Sequence, residues 1–204
     1  MKYQNYFFDF DGTLYDTYPG MVKAFCEAFS KQGKKLDPKE VYQVMRSRSV
    51  REAYRRYTTP ELDEAKLHAD YKNFEARYQK EAHPFSGAQK LLEKIKASGG
   101  QSFLLTHRDK SSLALLKRDG LVGFFCDFST ADDGFKRKPD PEALNYLVSK
   151  YGLVTSESVM VGDRSLDIEA GHNALMAGIL FDPDKKIPAT LEVEQRVQNL
   201  IEIM

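Results

Sequence analysis

Two acids two positions apart, Asp9 and Asp11, end the apolar run Tyr6-Phe7-Phe8 and are followed by Gly12 and Thr13. Carboxylates this close repel each other. The pairing becomes useful when one stays ionised while its neighbour carries a proton, as nucleophilic and acid–base chemistry requires. Two more acids, Asp163 and Asp167, follow the apolar run that ends at Gly162. Thr106 and His107 follow another such run, and Lys138 lies in the basic loop Lys136-Arg137-Lys138. Four acids and one lysine brought together would need a cation, and an all-oxygen set suits a hard ion such as Mg²⁺. A hydroxyl, an ammonium and backbone N–H groups of the acidic turn suit the oxygens of a phosphoryl group. Gly12, without a Cβ, would let the backbone approach such a ligand closely. The chemistry implied is metal-assisted phosphoryl transfer with a carboxylate as nucleophile.

The elements that must position these residues show as an alternation. Short apolar runs at 6–10, 102–106, 124–128, 158–162 and 177–181 read as buried strands. Amphipathic segments lie between the later ones: Leu91, Leu92 and Ile95 before Gly99, then Leu113 and Leu116 before Gly120. Glycine at those ends suits the left-handed turn that closes a helix. The pattern predicts βαβ units, an α/β fold of Rossmann-like type with a parallel sheet covered by helices on both faces. Ligands bind such sheets at the carboxyl ends of the strands, where the acids, Thr106 and His107 fall. One interval carries no strand pattern. Met21, Val22, Phe25 and Phe29 repeat at helical spacing, as do Tyr71, Phe74 and Tyr78. The expected organisation is a catalytic core of 1–14 and 84–204 with an all-helical insertion of 15–83, whose aromatic stripes form its own core.

The bulk composition narrows the partners. Lys+Arg and Asp+Glu balance at 30 each, so no excess of positive charge argues for nucleic acid or a membrane surface. No apolar run is long enough to span a bilayer and no basic-then-apolar leader opens the chain, so a cytoplasmic protein is expected. Cys26 and Cys126 read as buried, unpaired thiols. Nothing specifies an oligomer, and a monomer is the default expectation.

Four segments in order, Asp9–Leu14, Leu104–His107, Lys138–Pro141 and Gly162–Gly171, resemble the motifs of the haloacid dehalogenase-like hydrolases. The insertion resembles the alpha-helical cap of the subgroup that includes phosphoglycolate phosphatase and beta-phosphoglucomutase. The resemblance implies that Asp9 attacks phosphorus and becomes an aspartyl phosphate. It implies that Asp11 protonates the leaving oxygen and later activates water. By the same resemblance Thr106 and the His107 backbone hold phosphoryl oxygens, and Lys138 offsets the negative charge. Asp163 binds Mg²⁺ with Asp9 and the Asp11 carbonyl, while Asp167 supports the metal shell or Lys138. The expected activity is a Mg²⁺-dependent phosphatase of a small phosphorylated metabolite. The same core would serve a phosphosugar mutase, and a receiver-like regulatory domain is the alternative outside catalysis.

Plainer readings stand beside these. Asp9 and Asp11 are also common turn and helix-start residues. Thr106 suits a helix cap, and a basic loop around Lys138 is ordinarily solvated. Asp163 and Asp167, four apart, would share a helix face and repel without a partner. Arg48, Arg51 and Arg55 sit three and four apart on an expected single helix face; they are either solvated surface or contacts to an anionic handle on the substrate.

Overall fold

From Asp16 to His83 the chain folds as four α-helices: α1 (Tyr18–Lys31), α2 (Pro38–Ser47), α3 (Val50–Tyr57) and α4 (Glu64–Tyr78). The computed structural model describes every residue from Met1 to Met204 and divides into two compact units, Asp16–His83 and Met1–Tyr15 with Pro84–Met204. In the helical unit the aromatic stripe of α1 supplies the core. The Phe25 ring lies 4.7 Å from Phe29, 4.9 Å from Tyr54 and 6.0 Å from Tyr71, with Met21, Val22, Val41, Met45 and Leu67 buried around it. Three of these helix starts have a side-chain cap. Asp37, Ser49 and Asp63 each accept a backbone N–H from the first turn of α2, α3 and α4, which satisfies donors that a helix end leaves unpaired.

The second unit is built on a six-stranded sheet. Its strands are β1 (Asn5–Phe8), β2 (Gln101–Leu105), β3 (Phe125–Ser129), β4 (Ser158–Gly162), β5 (Ala177–Phe181) and β6 (Gln195–Val197). They lie in the order β3-β2-β1-β4-β5-β6, every neighbouring pair parallel. The α/β fold read from the alternation is therefore present, in the doubly wound order. β1 pairs with β2 on one side and β4 on the other, so the winding reverses there. Open sheets of this kind bind ligands at such a reversal, beyond the carboxyl ends of the strands.

Four helices serve this sheet: α5 (Ala88–Ala97), α6 (Ser111–Arg118), α7 (Glu142–Tyr151) and α8 (Ser165–Asn173). Ala143, Leu144 and Leu147 of α7 and Ala170 of α8 cover Phe7, Phe103 and Met160. Phe7 and Phe103 stack across β1 and β2 with centroids 4.8 Å apart. β1 and β4 are buried along their whole length, which is why they read as continuous apolar runs rather than alternating ones.

Three details depart from the sequence reading. β6 was not expected: it is a three-residue edge strand whose Val197 alone is buried. Cys126 is exposed on edge strand β3, not buried, although both cysteines are unpaired. Tyr15 stays with the sheet-bearing unit. Its ring stacks on Phe10 at 4.5 Å, and its hydroxyl reaches the Leu115 carbonyl at 3.1 Å and Asp119 at 2.8 Å. No helix is long and apolar enough to cross a membrane.

Candidate active site

Asp9 is the first residue beyond β1 and is 2 % exposed. Its N–H donates to the Val161 carbonyl at 2.9 Å, which extends the β1–β4 ladder by one residue and fixes where the carboxylate begins. Lys138 is buried as well. Its Nζ donates to Asp9 Oδ1 at 2.6 Å and to the Leu105 carbonyl at 3.1 Å, and lies 2.5 Å from Asp167 Oδ1. The basic loop is thus not wholly solvated: one of its three cations turns into the sheet edge between two buried acids.

Asp163 follows β4 directly and is fully buried. It lies ahead of α8 rather than on it, so Asp163 and Asp167 do not share a helix face as their spacing suggested. Asp167 instead caps the helix, its Oδ2 accepting the Arg164 N–H at 3.1 Å. Gly162 permits this, because a Cβ there would stand 2.2 Å from the Asp167 Cβ. The Thr13 hydroxyl, also buried, lies 3.5 Å from Asp163 Oδ1.

Carboxylate oxygens of Asp9, Asp163 and Asp167 come within 4.8 Å of one another. Asp167 forms an ion pair with Lys138 through Oδ1 and holds its own helix through Oδ2. Two buried carboxylate oxygens make no hydrogen bond, Asp167 Oδ1 beside that ammonium and Asp9 Oδ2. An orphaned buried carboxylate oxygen beside a second buried carboxylate is a donor set that fits a hard divalent cation. Burial pushes the Asp9 carboxyl up to about 7; the Lys138 ammonium opposes this, and Asp167 and Asp163 add to it. Burial also works against the charge on Lys138, but Asp167 and Asp9 outweigh it and raise its pKa. A cation at Asp9 Oδ2 would restore the ionised carboxylate by the same electrostatics.

Thr106 closes β2, its N–H donating to the Ser129 carbonyl at 2.9 Å while its hydroxyl accepts the Arg108 N–H at 3.0 Å. The His107 ring has a task that the sequence reading did not give it: Nε2 accepts the Lys138 N–H at 2.8 Å. That bond requires a neutral ring. Burial, with the charges of Lys138, Arg137 and Arg164, carries the His107 pKa down to about 2.

Asp11 is engaged by a residue absent from the sequence-derived set. Arg108 Nε lies 2.9 and 3.1 Å from the two Asp11 oxygens, and Nη2 lies 2.7 Å from Oδ1. The one clue in the sequence was its place two residues after Thr106, at a strand's carboxyl end. Gly12 takes the left-handed conformation, φ 78°, and its N–H donates to the Tyr15 carbonyl at 2.8 Å. Its place in the structure is the turn itself, and that N–H is not spare for a phosphate.

The arginines of the insertion are not on one helix. α2 ends at Ser47, Arg48 follows it, and Ser49 starts α3, which carries Arg51 and Arg55. Arg48, Arg55 and Arg56 line a groove of about 570 Å³ within the helical unit, without Arg51. Arg55 is exposed and pairs with Glu52 at 2.9 Å.

The model of the haloacid dehalogenase-like hydrolase family matches residues 6–181. A phosphoglycolate phosphatase of Thiobacillus denitrificans is 28 % identical over 81 % of this chain and 77 % of its own. Pyrophosphatase PpaX of Halalkalibacterium halodurans is 27 % identical over 85 % and 81 %. The crystal structure of a hydrolase from Streptococcus pneumoniae is 37 % identical, with a TM-score of 0.68, covering 89 % of this chain and 94 % of that one.

Proposed function

The chain belongs to the haloacid dehalogenase-like hydrolase family, and on that premise we propose that it is a Mg²⁺-dependent phosphatase acting on a small phosphate monoester through a phospho-Asp9 intermediate. Relatives named as a phosphoglycolate phosphatase and a pyrophosphatase support hydrolysis of phosphate. Within the site, one observation carries the reading. Asp9 is held by Lys138 through Oδ1 while Oδ2 is buried without a partner.

In the proposed reaction a carboxylate oxygen of Asp9 attacks phosphorus, and the bond to the leaving oxygen breaks. Asp11 supplies that oxygen with its proton. In the second half Asp11 takes a proton from water as the water oxygen attacks phosphorus, the P–O bond to Asp9 breaks, and the carboxylate is regenerated. Lys138 fixes the attacking carboxylate and balances its charge. Thr106 and the backbone at His107 orient the phosphoryl oxygens. Mg²⁺, held by Asp9, Asp163 and the Asp11 carbonyl, would neutralise charge on the transferring group. Asp167 positions Lys138.

The test is phosphate release from a panel of small phosphate esters with Mg²⁺, for the wild type and Asp9→Asn. The variant should lose activity by on the order of a thousandfold or more, as loss of a nucleophile does. Retention of the wild-type rate by Asp9→Asn would overturn the mechanism. Absence of hydrolysis across the panel would overturn the function.

A further inference from the structure

The pair between Arg108 and Asp11 is at odds with an easy reaction. Asp11 has to face the leaving oxygen, yet the Arg108 guanidinium lies against both of its carboxylate oxygens. A two-point guanidinium–carboxylate contact is among the stronger polar pairs in proteins. It is also sheltered, since the Arg108 side chain is 8 % exposed and that of Asp11 19 %. The pair has to open in each turnover that uses Asp11.

What would open it depends on the ligand. The Arg108 backbone is pinned on both sides: its N–H donates to the Thr106 hydroxyl at 3.0 Å, and its carbonyl accepts the Ala131 N–H at 2.9 Å. Its side chain therefore swings from a fixed point beside the residue proposed to hold the phosphoryl group. Lys138 cannot play this part, because its ammonium is buried between Asp9 and Asp167. A substrate with a neutral leaving group breaks the pair and offers nothing in exchange. A substrate with a second anion close to the leaving oxygen offers Arg108 a replacement partner, so that Asp11 is released as the new contact forms.

We propose that Arg108 is a specificity-determining residue that exchanges Asp11 for a second anionic group on the substrate, a carboxylate or a second phosphate within a few atoms of the scissile oxygen. This rests on the phosphatase reading above. The probes are 2-phosphoglycolate for the carboxylate, inorganic pyrophosphate for the second phosphate, and glycerol 1-phosphate, whose leaving group is neutral. The wild type should show a higher kcat/KM on at least one two-anion probe than on glycerol 1-phosphate, and the probe preferred tells which anion is meant. Arg108→Ala should lower that preferred value by on the order of ten- to a hundredfold, the worth of a charged hydrogen-bonded pair. The same variant should raise the value for glycerol 1-phosphate, since no clamp then opposes Asp11. Arg108→Lys keeps the charge but not the two-point contact. It should fall between the two, and it serves as the test should the alanine variant fail to fold. An equal loss on all three probes, or a wild-type preference for glycerol 1-phosphate, overturns the proposal. If the wild type hydrolyses none of them and no ester of the wider panel, the phosphatase reading falls. Calorimetry with Asp9→Asn then decides the Arg108 claim alone: pyrophosphate must bind more tightly than inorganic phosphate, a further Arg108→Lys change must narrow the difference, and an unchanged difference overturns the claim.

Discussion

His107 offers a test of the site's electrostatics that needs no substrate. In the folded chain its Nε2 accepts the Lys138 N–H, with Lys138, Arg137 and Arg164 as nearby positive groups, so the ring is neutral and its pKa falls from 6.5 to about 2. Above 6.5 the ring is neutral in both the folded and the unfolded chain, and it adds no pH dependence. Below 6.5 the unfolded ring takes a proton that the folded ring refuses. The unfolded state then binds more protons, and stability falls as pH falls. Each unit amounts to about 1.4 kcal/mol, so at about pH 5 the wild type should have lost about 2 kcal/mol from this group alone, an upper figure because His107 is only partly buried. His107→Gln removes the titration while keeping an acceptor of similar reach. Urea midpoints for the two proteins at about pH 7.5 and about pH 5, compared at constant m, isolate the difference. If both lose stability in parallel, the ring is not a neutral acceptor of the Lys138 N–H.

Other perturbations follow from the same geometry. Lys138→Met strands two buried acids and should destabilise by about 3–5 kcal/mol in urea; adding Asp167→Asn should recover part of that, and no recovery would mean the two acids do not share the lysine. Gly162→Ala places a Cβ 2.2 Å from that of Asp167. It should lower stability by about 1–3 kcal/mol and also phosphate release, whereas a wild-type melting temperature would contradict the close approach. Phe25→Ala removes the ring at the centre of the helical unit and should destabilise by about 3–5 kcal/mol, read by thermal melting; a change below about 1 kcal/mol would mean that core is loosely packed.

The order of strands and helices could be read because buried parallel strands leave continuous apolar runs and glycines close the helices between them. β6 could not, since three residues with one buried side chain leave no periodicity. The acids could be placed because they follow the ends of β1 and β4, and the strand ends share one edge of the sheet. What escaped were pairings between distant parts of the chain. Asp11 and Arg108 are 97 residues apart, and Lys138 and its acceptor ring 31. Nothing local separates an arginine that closes on an acid from one that meets only water. A basic loop read by itself is solvated; the resemblance put Lys138 in the site, and the fold sets two carboxylates against it. Conversely, the spacing of Arg48, Arg51 and Arg55 suggested one helix. The Ser49 cap, which accepts the Glu52 N–H at 3.0 Å, starts a new one instead.

Tyr15 bridges Pro84, and the Asp16 N–H donates to the His83 carbonyl at 3.0 Å. The chain therefore enters and leaves the helical unit through a single doorway. A segment whose ends already meet imposes little loop-closure entropy on its host, and its length is nearly free to vary. Excising 16–83 and joining Tyr15 to Pro84 by a short turn would leave β1, α5 and β2 as an ordinary crossover unit. By the same logic a foreign module with adjacent termini could be grafted at this doorway without disturbing the register of the sheet.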